Sequence, residues 1–173
     1  MIERHLILIG LPGSGKSTVG PLVAAGLELP FVDLDNVIIR RMGMEVVRIF
    51  GEFGEARFRE LEREATAAKL SEAPSVIAPG GGWAAQPGNL DGARGQALFV
   101  YLQVAPEIAL ARAARGAVRP LLAGGEGLTR MNTLLTEREE FYKRADATIR
   151  NDAPDPSLAA AEIVEWLRRG GFA

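Results

Sequence analysis

The eight residues Gly10–Ser17 constrain the fold of this chain more than any other stretch. They run Gly-Leu-Pro-Gly-Ser-Gly-Lys-Ser and match the pattern G-x-x-x-x-G-K-S/T, which requires a strand before it and a helix after it. The apolar run Leu6–Ile9 precedes the motif, and the helical pattern Lys16–Leu27 follows it. With ordinary residue frequencies, about one chain in two hundred of this length would carry the motif by chance. The flanking context makes chance rarer still, so the sequence predicts a phosphate-binding loop.

The chemistry of such a loop follows from its residue types. Glycines leave the backbone free to turn its N–H groups toward phosphate oxygens, and the following helix N-terminus adds positive potential. Lys16 would reach the β- and γ-phosphates, and the Ser17 hydroxyl would bind Mg²⁺. We therefore expect ATP and Mg²⁺ as cofactors, with the nucleotide held by Gly13, Ser14, Gly15, Lys16, Ser17 and Thr18.

The rest of the chain alternates short apolar runs with longer helical patterns, which favours a parallel sheet covered by helices. The central runs lack polar alternation, as expected of strands buried on both faces. The predicted strands are Leu6–Ile9, Phe31–Val32, Val76–Ala78, Ala97–Leu102 and Ala147–Ile149. The predicted helices are Lys16–Leu27, Glu55–Leu70, Pro106–Ala114, Leu128–Arg144 and Pro156–Arg169, with shorter pieces at Asn36–Arg41 and Glu45–Phe50.

Composition narrows the possible partners. The 173 residues suit one α/β domain spanning 1–173, and a net charge of −2 gives no basic field for nucleic acid or a membrane surface. Cysteine is absent and His5 is the only histidine, which excludes disulfides, Cys-bound zinc and a histidine metal cluster. No apolar run approaches the roughly 20 residues of a spanning helix. We expect a cytoplasmic, monomeric protein that binds a small molecule.

Two carboxylates follow the second strand. Asp33 and Asp35 are two residues apart, so they share a face at the carboxyl edge of the sheet, where open α/β sheets bind ligands. Asp33 could accept hydrogen bonds from water molecules bound to the metal, and Asp35 could form a hydrogen bond with a substrate hydroxyl. A strand-ending turn or a helix cap explains the pair equally well, because Asp is common in both.

Two arginines occupy unusual helical positions. Arg59 lies between Glu55 and Glu62 at helical spacing, and this pattern alone favours an exposed ladder of weak ion pairs. Arg138 falls on the apolar stripe of its helix, so its guanidinium either extends to solvent or points into an anion-binding pocket. Trp166, Leu158, Ile163 and Leu167 in the last helix are predicted to be core.

Two glycine-rich segments are candidate binding loops. Gly80, Gly81 and Gly82 follow the third strand and open the segment 80–95, which we expect to be mobile; such bare backbone suits close approach by a ligand. Residues 115–127 form the second segment, a candidate lid. Arg112, Arg115 and Arg119 lie in or beside it and could deliver cations to the triphosphate. Solvated arginines and a flexible linker are the simpler alternatives.

Together these motifs resemble the shikimate kinase family, from the phosphate loop to about Tyr142. The similarity includes the D-x-D of Asp33 and Asp35 and the F-R-x-x-E that contains Arg59. It extends to the triple glycine 80–82, the R-P-L-L that begins at Arg119, and the R-x-x-x-Y that begins at Arg138.

The resemblance implies a three-layer P-loop fold of the nucleoside monophosphate kinase type, with a five-stranded parallel sheet. It also implies an acceptor-binding segment near 36–63 and a lid near 113–126. The reaction would be ATP-dependent phosphorylation of the 3-hydroxyl of shikimate, in aromatic amino-acid biosynthesis. The implied catalytic residues are Lys16, Asp35 and Arg119. The implied ATP contacts include Arg112 and Arg119, the metal contacts Ser17 and Asp33, and the acceptor contacts Asp35, Arg59, Gly80, Gly81, Gly82 and Arg138.

Two departures and two rival functions accompany this interpretation. Trp83 stands where the family usually has a small residue, and it could narrow the pocket, cover it or pack against the following loop. Pro79 replaces an expected aliphatic residue. A kinase for another hydroxy acid, such as gluconate, would share the scaffold, and a noncatalytic ATP-binding module would share the phosphate loop. The guanine-reading N/T-K-x-D motif of GTPases is absent from the sequence.

Overall fold

The computed structural model describes residues 3–115 and 125–170, which form a parallel sheet flanked by helices. The five strands are β1 His5–Ile9, β2 Phe31–Asp33, β3 Val76–Ala78, β4 Ala97–Gln103 and β5 Ala147–Arg150. The seven helices of this part of the chain are α1 Lys16–Leu27, α2 Leu34–Met42, α3 Val46–Leu70, α4 Asn89–Ala93, α5 Pro106–Ala113, α6 Gly127–Tyr142 and α7 Pro156–Arg168. The predicted α/β class and five parallel strands are confirmed.

The strands follow the spatial order β2-β3-β1-β4-β5, and every neighbouring pair is parallel. All five residues of β1 are buried, because β1 lies at the centre and is covered on both faces. Leu6 and Leu8 pack toward α1 and α7, whereas Ile7 and Ile9 pack into the core on the opposite face. Alternate side chains of one apolar strand therefore build two cores, which is the three-layer arrangement predicted.

Helix α3 is longer than the sequence predicted. The two pieces expected at Glu45–Phe50 and Glu55–Leu70 form one element that kinks at Gly54, where φ is 80° and ψ is 167°. A positive φ is readily adopted only by glycine, so Gly54 permits a change of direction between the two halves. Leu158, predicted as core, is 60% exposed, so that assignment is wrong; Ile163 and Leu167 are buried as expected.

The segment 80–95 was predicted to be mobile, and that prediction is wrong. It contains the short helix α4, and its Trp83 side chain is only 1% exposed, stacked on Phe99 of β4 with ring centroids 6.4 Å apart. The backbone is held as well, because Asn89 Nδ2 donates to the Trp83 carbonyl over 2.9 Å. Of the alternatives for Trp83, the structure shows packing against the following segment: Trp83 shares a buried cluster with Leu90 and Ala93, as well as with Phe99 of β4.

No helix among the described residues has the length and apolar character needed to cross a membrane. The lid predicted near 113–126 lies largely outside the described residues, as does Arg119.

Candidate active site

The carboxyl ends of β1, β2 and β3 open on one cavity of about 660 Å³. Its lining combines the phosphate loop with the residues after β2 and β3, as the parallel sheet requires. The predicted residues among them are Gly13, Gly15, Lys16, Ser17, Thr18, Asp33, Asp35 and Arg112.

The phosphate loop is held in shape by its own backbone and by Lys16. Gly15 has a φ of 99° and precedes the first turn of α1, a conformation that a residue with a Cβ rarely adopts. The Lys16 ammonium donates to the carbonyl oxygens of Gly10 and Leu11, at 2.8 and 2.9 Å. These bonds keep the cation folded over the loop, where a phosphate group would compete for it.

A residue that the sequence analysis did not single out braces this loop from behind. Asn151 follows β5 and is buried, and its Nδ2 donates to the Ser14 carbonyl over 2.8 Å. Its own carbonyl accepts from Arg112 Nη1 at 2.7 Å, and Arg112 Nη2 donates to the Ala153 carbonyl at 2.8 Å. The one available sequence signal was position: a polar residue directly after a predicted strand, at the sheet edge that binds ligands.

Ser17 and Asp33 meet as the metal prediction requires. The Ser17 hydroxyl donates to Asp33 Oδ2 over 2.6 Å, while Oδ1 accepts from the backbone N–H groups of Asp35 and Asn36. Asp33 is thus the N-cap of α2, which confirms the helix-cap alternative, and its metal role stays a prediction. A hydroxyl and a carboxylate are oxygen donors of the kind Mg²⁺ prefers. No three acidic or histidine side chains of the described residues gather as a metal site, so phosphate and water oxygens would complete the shell.

Arg59 and Glu62 form a buried ion pair on α3. Their side chains are 10% and 0% exposed, and Arg59 Nη1 lies 2.6 Å from Glu62 Oε2. Arg59 also contacts Glu55, at 3.1 Å, whose side chain is 56% exposed. Burial raises the pKa of Glu62, and the charge of Arg59 opposes that rise. The expected ladder of exposed ion pairs is therefore wrong for Arg59, which Glu62 fixes from inside the protein.

Each glycine of the triplet 80–82 touches a different functional group. A Cβ on Gly80 would lie 2.6 Å from Glu62 Oε1, and a Cβ on Gly81 would lie 2.7 Å from Pro12 Cδ of the phosphate loop. A Cβ on Gly82 would lie 2.8 Å from Arg59 Cζ. These distances are shorter than real Cβ contacts, so a larger residue at any of the three positions would force its neighbour to shift. The triplet is a packed junction between the phosphate loop and α3.

Helix α6 reaches the same loop through Tyr142. The buried Tyr142 hydroxyl donates to the Gly81 carbonyl over 2.5 Å. Arg138, one turn earlier, is 8% exposed despite its charge. Both Arg138 and Arg59 oppose the rise that burial causes in the pKa of Tyr142, so both positive charges lie near its phenol.

The predicted acceptor residues therefore converge. Asp35 lines the cavity, and its Oδ1 would lie 3.7 Å from a Cβ on Gly80. Asp35 lies near Gly80, Arg59 lies near Gly82, and Arg138 is one helical turn from Tyr142, which bonds Gly81.

Of the predicted acceptor residues, Asp35 lines the cavity of about 660 Å³, whereas Arg59, Arg138 and the glycines 80–82 are not part of its lining. The sequence analysis did not predict the contact of Pro12 with Gly81, the bond from Asn151 to Ser14 or the burial of Glu62. Each of these depends on residues that are far apart in the chain.

Comparison with known proteins gives consistent matches. A family model described as "Shikimate kinase" matches residues 12–168. A shikimate kinase of Moorella thermoacetica is 42% identical over 164 residues, which cover 95% of this chain and 94% of that protein. The solved shikimate kinase of Acinetobacter baumannii in complex with shikimate has a TM-score of 0.92 and 30% identity, covering 98% of this chain and 96% of that one. A gluconokinase of Sinorhizobium meliloti reaches a TM-score of 0.60 at 18% identity, with 96% and 97% coverage, which shows a shared fold alone.

Proposed function

This chain belongs to the shikimate kinase family, and we propose specific roles for its residues in the transfer of a phosphoryl group from MgATP to the 3-hydroxyl of shikimate. The activity is that of an ATP-dependent small-molecule kinase with Mg²⁺, a transferase of the shikimate pathway. The bond between the γ-phosphorus and the β,γ-bridging oxygen breaks, and a bond from that phosphorus to the shikimate oxygen forms. The hydroxyl proton is released, and the products are shikimate 3-phosphate and ADP.

One observation carries the role assignment. The phosphate loop and Arg59 contact neighbouring glycines of the triplet, through Pro12 on Gly81 and Arg59 on Gly82. An acid held by the arginines would therefore lie next to the phosphate site. In-line phosphoryl transfer needs this adjacency more than any covalent contribution from the protein.

The arginines supply acceptor specificity. Arg59 and Arg138 would hold the carboxylate of shikimate with charge-assisted hydrogen bonds. A neutral polyol would offer these two guanidinium groups no charge-assisted hydrogen bonds, so it would bind more weakly than an acid. Gly80, Gly81 and Gly82 would let the ring approach the backbone closely.

The residues of the phosphate loop and those after β2 would bind the phosphates and the metal. Lys16 would leave the carbonyl oxygens of its loop to bind the β- and γ-phosphates, and Ser17 with Asp33 would hold Mg²⁺. Asp35 would orient the attacking hydroxyl. Arg112 lines the cavity beside Pro154 and would contact the nucleotide, and Arg119, outside the described residues, would stabilise charge on the transferring group.

An ADP-release assay tests the assignment directly. With MgATP, the purified protein should turn over shikimate and leave gluconate unphosphorylated. Turnover of gluconate alone would overturn the acceptor assignment. Calorimetry separates the noncatalytic alternative, because an ATP-binding module would bind the nucleotide and show no affinity for either acid.

The domain organisation, oligomeric state and cellular location of the protein are also part of this proposal. We expect one domain over residues 1–173, with an acceptor-binding segment at 36–63 and a lid at 113–126. We also expect a cytoplasmic monomer that binds neither nucleic acid nor membrane. Sedimentation at micromolar concentration tests the monomer, and protease protection of the lid by MgATP tests its closure.

A further inference from the structure

Tyr142 connects two parts of the acceptor site that are distant in sequence. It lies at the end of α6, its ring stacks on Tyr101 of β4 with centroids 5.1 Å apart, and it is fully buried. Its hydroxyl donates to the Gly81 carbonyl across 61 residues of sequence. The bond fastens the glycine loop to α6, the helix that also carries Arg138.

The same hydroxyl is a neighbour of Arg138. Burial raises the pKa of Tyr142 to about 12, while Arg138, as a charge and as a hydrogen-bond donor, opposes that rise. Arg59 opposes it as a charge. The phenol therefore keeps its proton at neutral pH and remains a donor to Gly81. Arg138 lies one helical turn before Tyr142 on α6 and is also buried, which places its guanidinium within reach of the hydroxyl.

We infer that Tyr142 is a positioning residue for the acceptor: its hydroxyl donates to Gly81 and accepts from Arg138, which fixes the glycine loop and the arginine relative to each other. The inference rests on the proposed function, because a fixed Arg138 matters when the acceptor is an anion. Tyr142 acts through these two groups and not through contact with the reacting atoms. Loss of the hydroxyl frees both groups at once.

A purely structural role makes a different prediction. The ring of Tyr142 fills core space beside Tyr101, and a phenylalanine would keep that packing. If packing were the whole contribution, Tyr142→Phe would alter thermal stability and leave the acceptor KM unchanged. A positioning role raises the acceptor KM while the ATP KM stays nearly constant, because the Tyr142 hydroxyl bonds Gly81 and not Gly13, Lys16 or Ser17.

Tyr142→Phe is therefore compared with Tyr101→Phe, which removes the hydroxyl of the stacked ring and leaves the bond to Gly81 in place. We expect the shikimate KM of Tyr142→Phe to rise about tenfold, as the loss of one buried hydrogen bond permits. The ATP KM should stay within twofold, and binding of ATP shows that the variant is folded. Tyr101→Phe should keep both KM values.

A double-mutant cycle with Arg138→Ala tests the link itself. If the Tyr142 hydroxyl acts partly through Arg138, adding Tyr142→Phe to the Arg138→Ala variant should lower shikimate affinity less than threefold. Fully additive losses would overturn the inference, as would a Tyr142→Phe enzyme that matches Tyr101→Phe. An unsubstituted enzyme without shikimate turnover would overturn the proposed function and this inference with it. An active enzyme with a normal Tyr142→Phe KM would overturn this inference alone.

Discussion

The phosphate-binding part and the acceptor-binding part of the proposed site, the phosphate side and the acceptor side, are built in opposite ways. The phosphate side is centred on the eight consecutive residues Gly10–Ser17, where Lys16 bonds carbonyl oxygens only five and six positions away. The acceptor side draws on α2, α3, the loop after β3 and α6, and joins them by contacts such as Tyr142 to Gly81, 61 residues apart. A local site persists wherever its strand and helix persist, whereas a distributed site depends on the whole fold.

The sharpest test of this contrast removes the central group of the local side. Lys16→Ala should lower turnover about 10³-fold, because it deletes a cation from the phosphates where charge develops. Shikimate affinity should change little, since the acceptor side is held by other elements. Lys69→Ala, which removes a surface ion pair to Glu72, is the matched control and should retain full activity. A large loss of shikimate affinity in Lys16→Ala would contradict the claim that acceptor binding is independent of the phosphate loop.

The acceptor side can be disturbed by a single methyl group. In Gly82→Ala the new Cβ would lie 2.8 Å from Arg59 Cζ, so the guanidinium must move. We expect kcat/KM for shikimate to fall about 10²-fold, the loss that a displacement near 1 Å can cause, with the ATP KM unchanged. Gly92→Ala, in α4 with no atom within 4 Å of its Cβ, is the control and should gain up to about 1 kcal/mol of stability. Equal kinetics in the two variants would contradict the packed junction.

The bond from Asn151 to the phosphate loop provides a smaller test. Asn151→Ala removes the donor to the Ser14 carbonyl and leaves that buried oxygen unpaired. The free energy of unfolding should fall by about 1–3 kcal/mol. The ATP KM should rise several-fold, and the shikimate KM should stay constant. Asn132→Ala, at an exposed position of α6, supplies the comparison. An ATP KM equal in both variants would mean that the loop holds its shape without Asn151.

The smallest expected effect lies at the opposite edge of the sheet. His5 Nδ1 accepts from the Ser75 backbone N–H over 3.2 Å, and burial lowers the pKa of His5 below 6.5. As pH falls through 6.5, the unfolded chain takes up a proton that the folded chain resists, so stability declines. Denaturant titrations from pH 7.5 to 5.5 should show a steeper decline for the unsubstituted protein than for His5→Gln. Both KM values should be unaffected; a change in either would link this edge to the active site.

The sequence predicted what depends on near neighbours. The bounds of α1 and β3 match the prediction because an apolar period or a glycine motif determines them locally. Which side chains are buried depended instead on packing between elements that are distant in the chain. Arg59 has the spacing of a surface ion pair, and only the packing of α3 against the glycine loop makes Glu62 fully buried. The glycine-rich composition of 80–95 suggested mobility, but Trp83 anchors the segment in the core. Leu158 fits the apolar pattern of α7 yet faces solvent.

The close packing of the three glycines also determines which residues could be mutated to change the acceptor preference. A larger residue at Gly80, Gly81 or Gly82 collides with Glu62, Pro12 or Arg59, so a single change there disturbs a neighbour before it reshapes the pocket. Cavity-lining residues of the acceptor-binding segment carry no such constraint: Ile39, Val46 and Val47 face the cavity, and Val47 is 46% exposed. A directed-evolution library for new hydroxy acids should therefore vary these three side chains and leave the triple glycine intact.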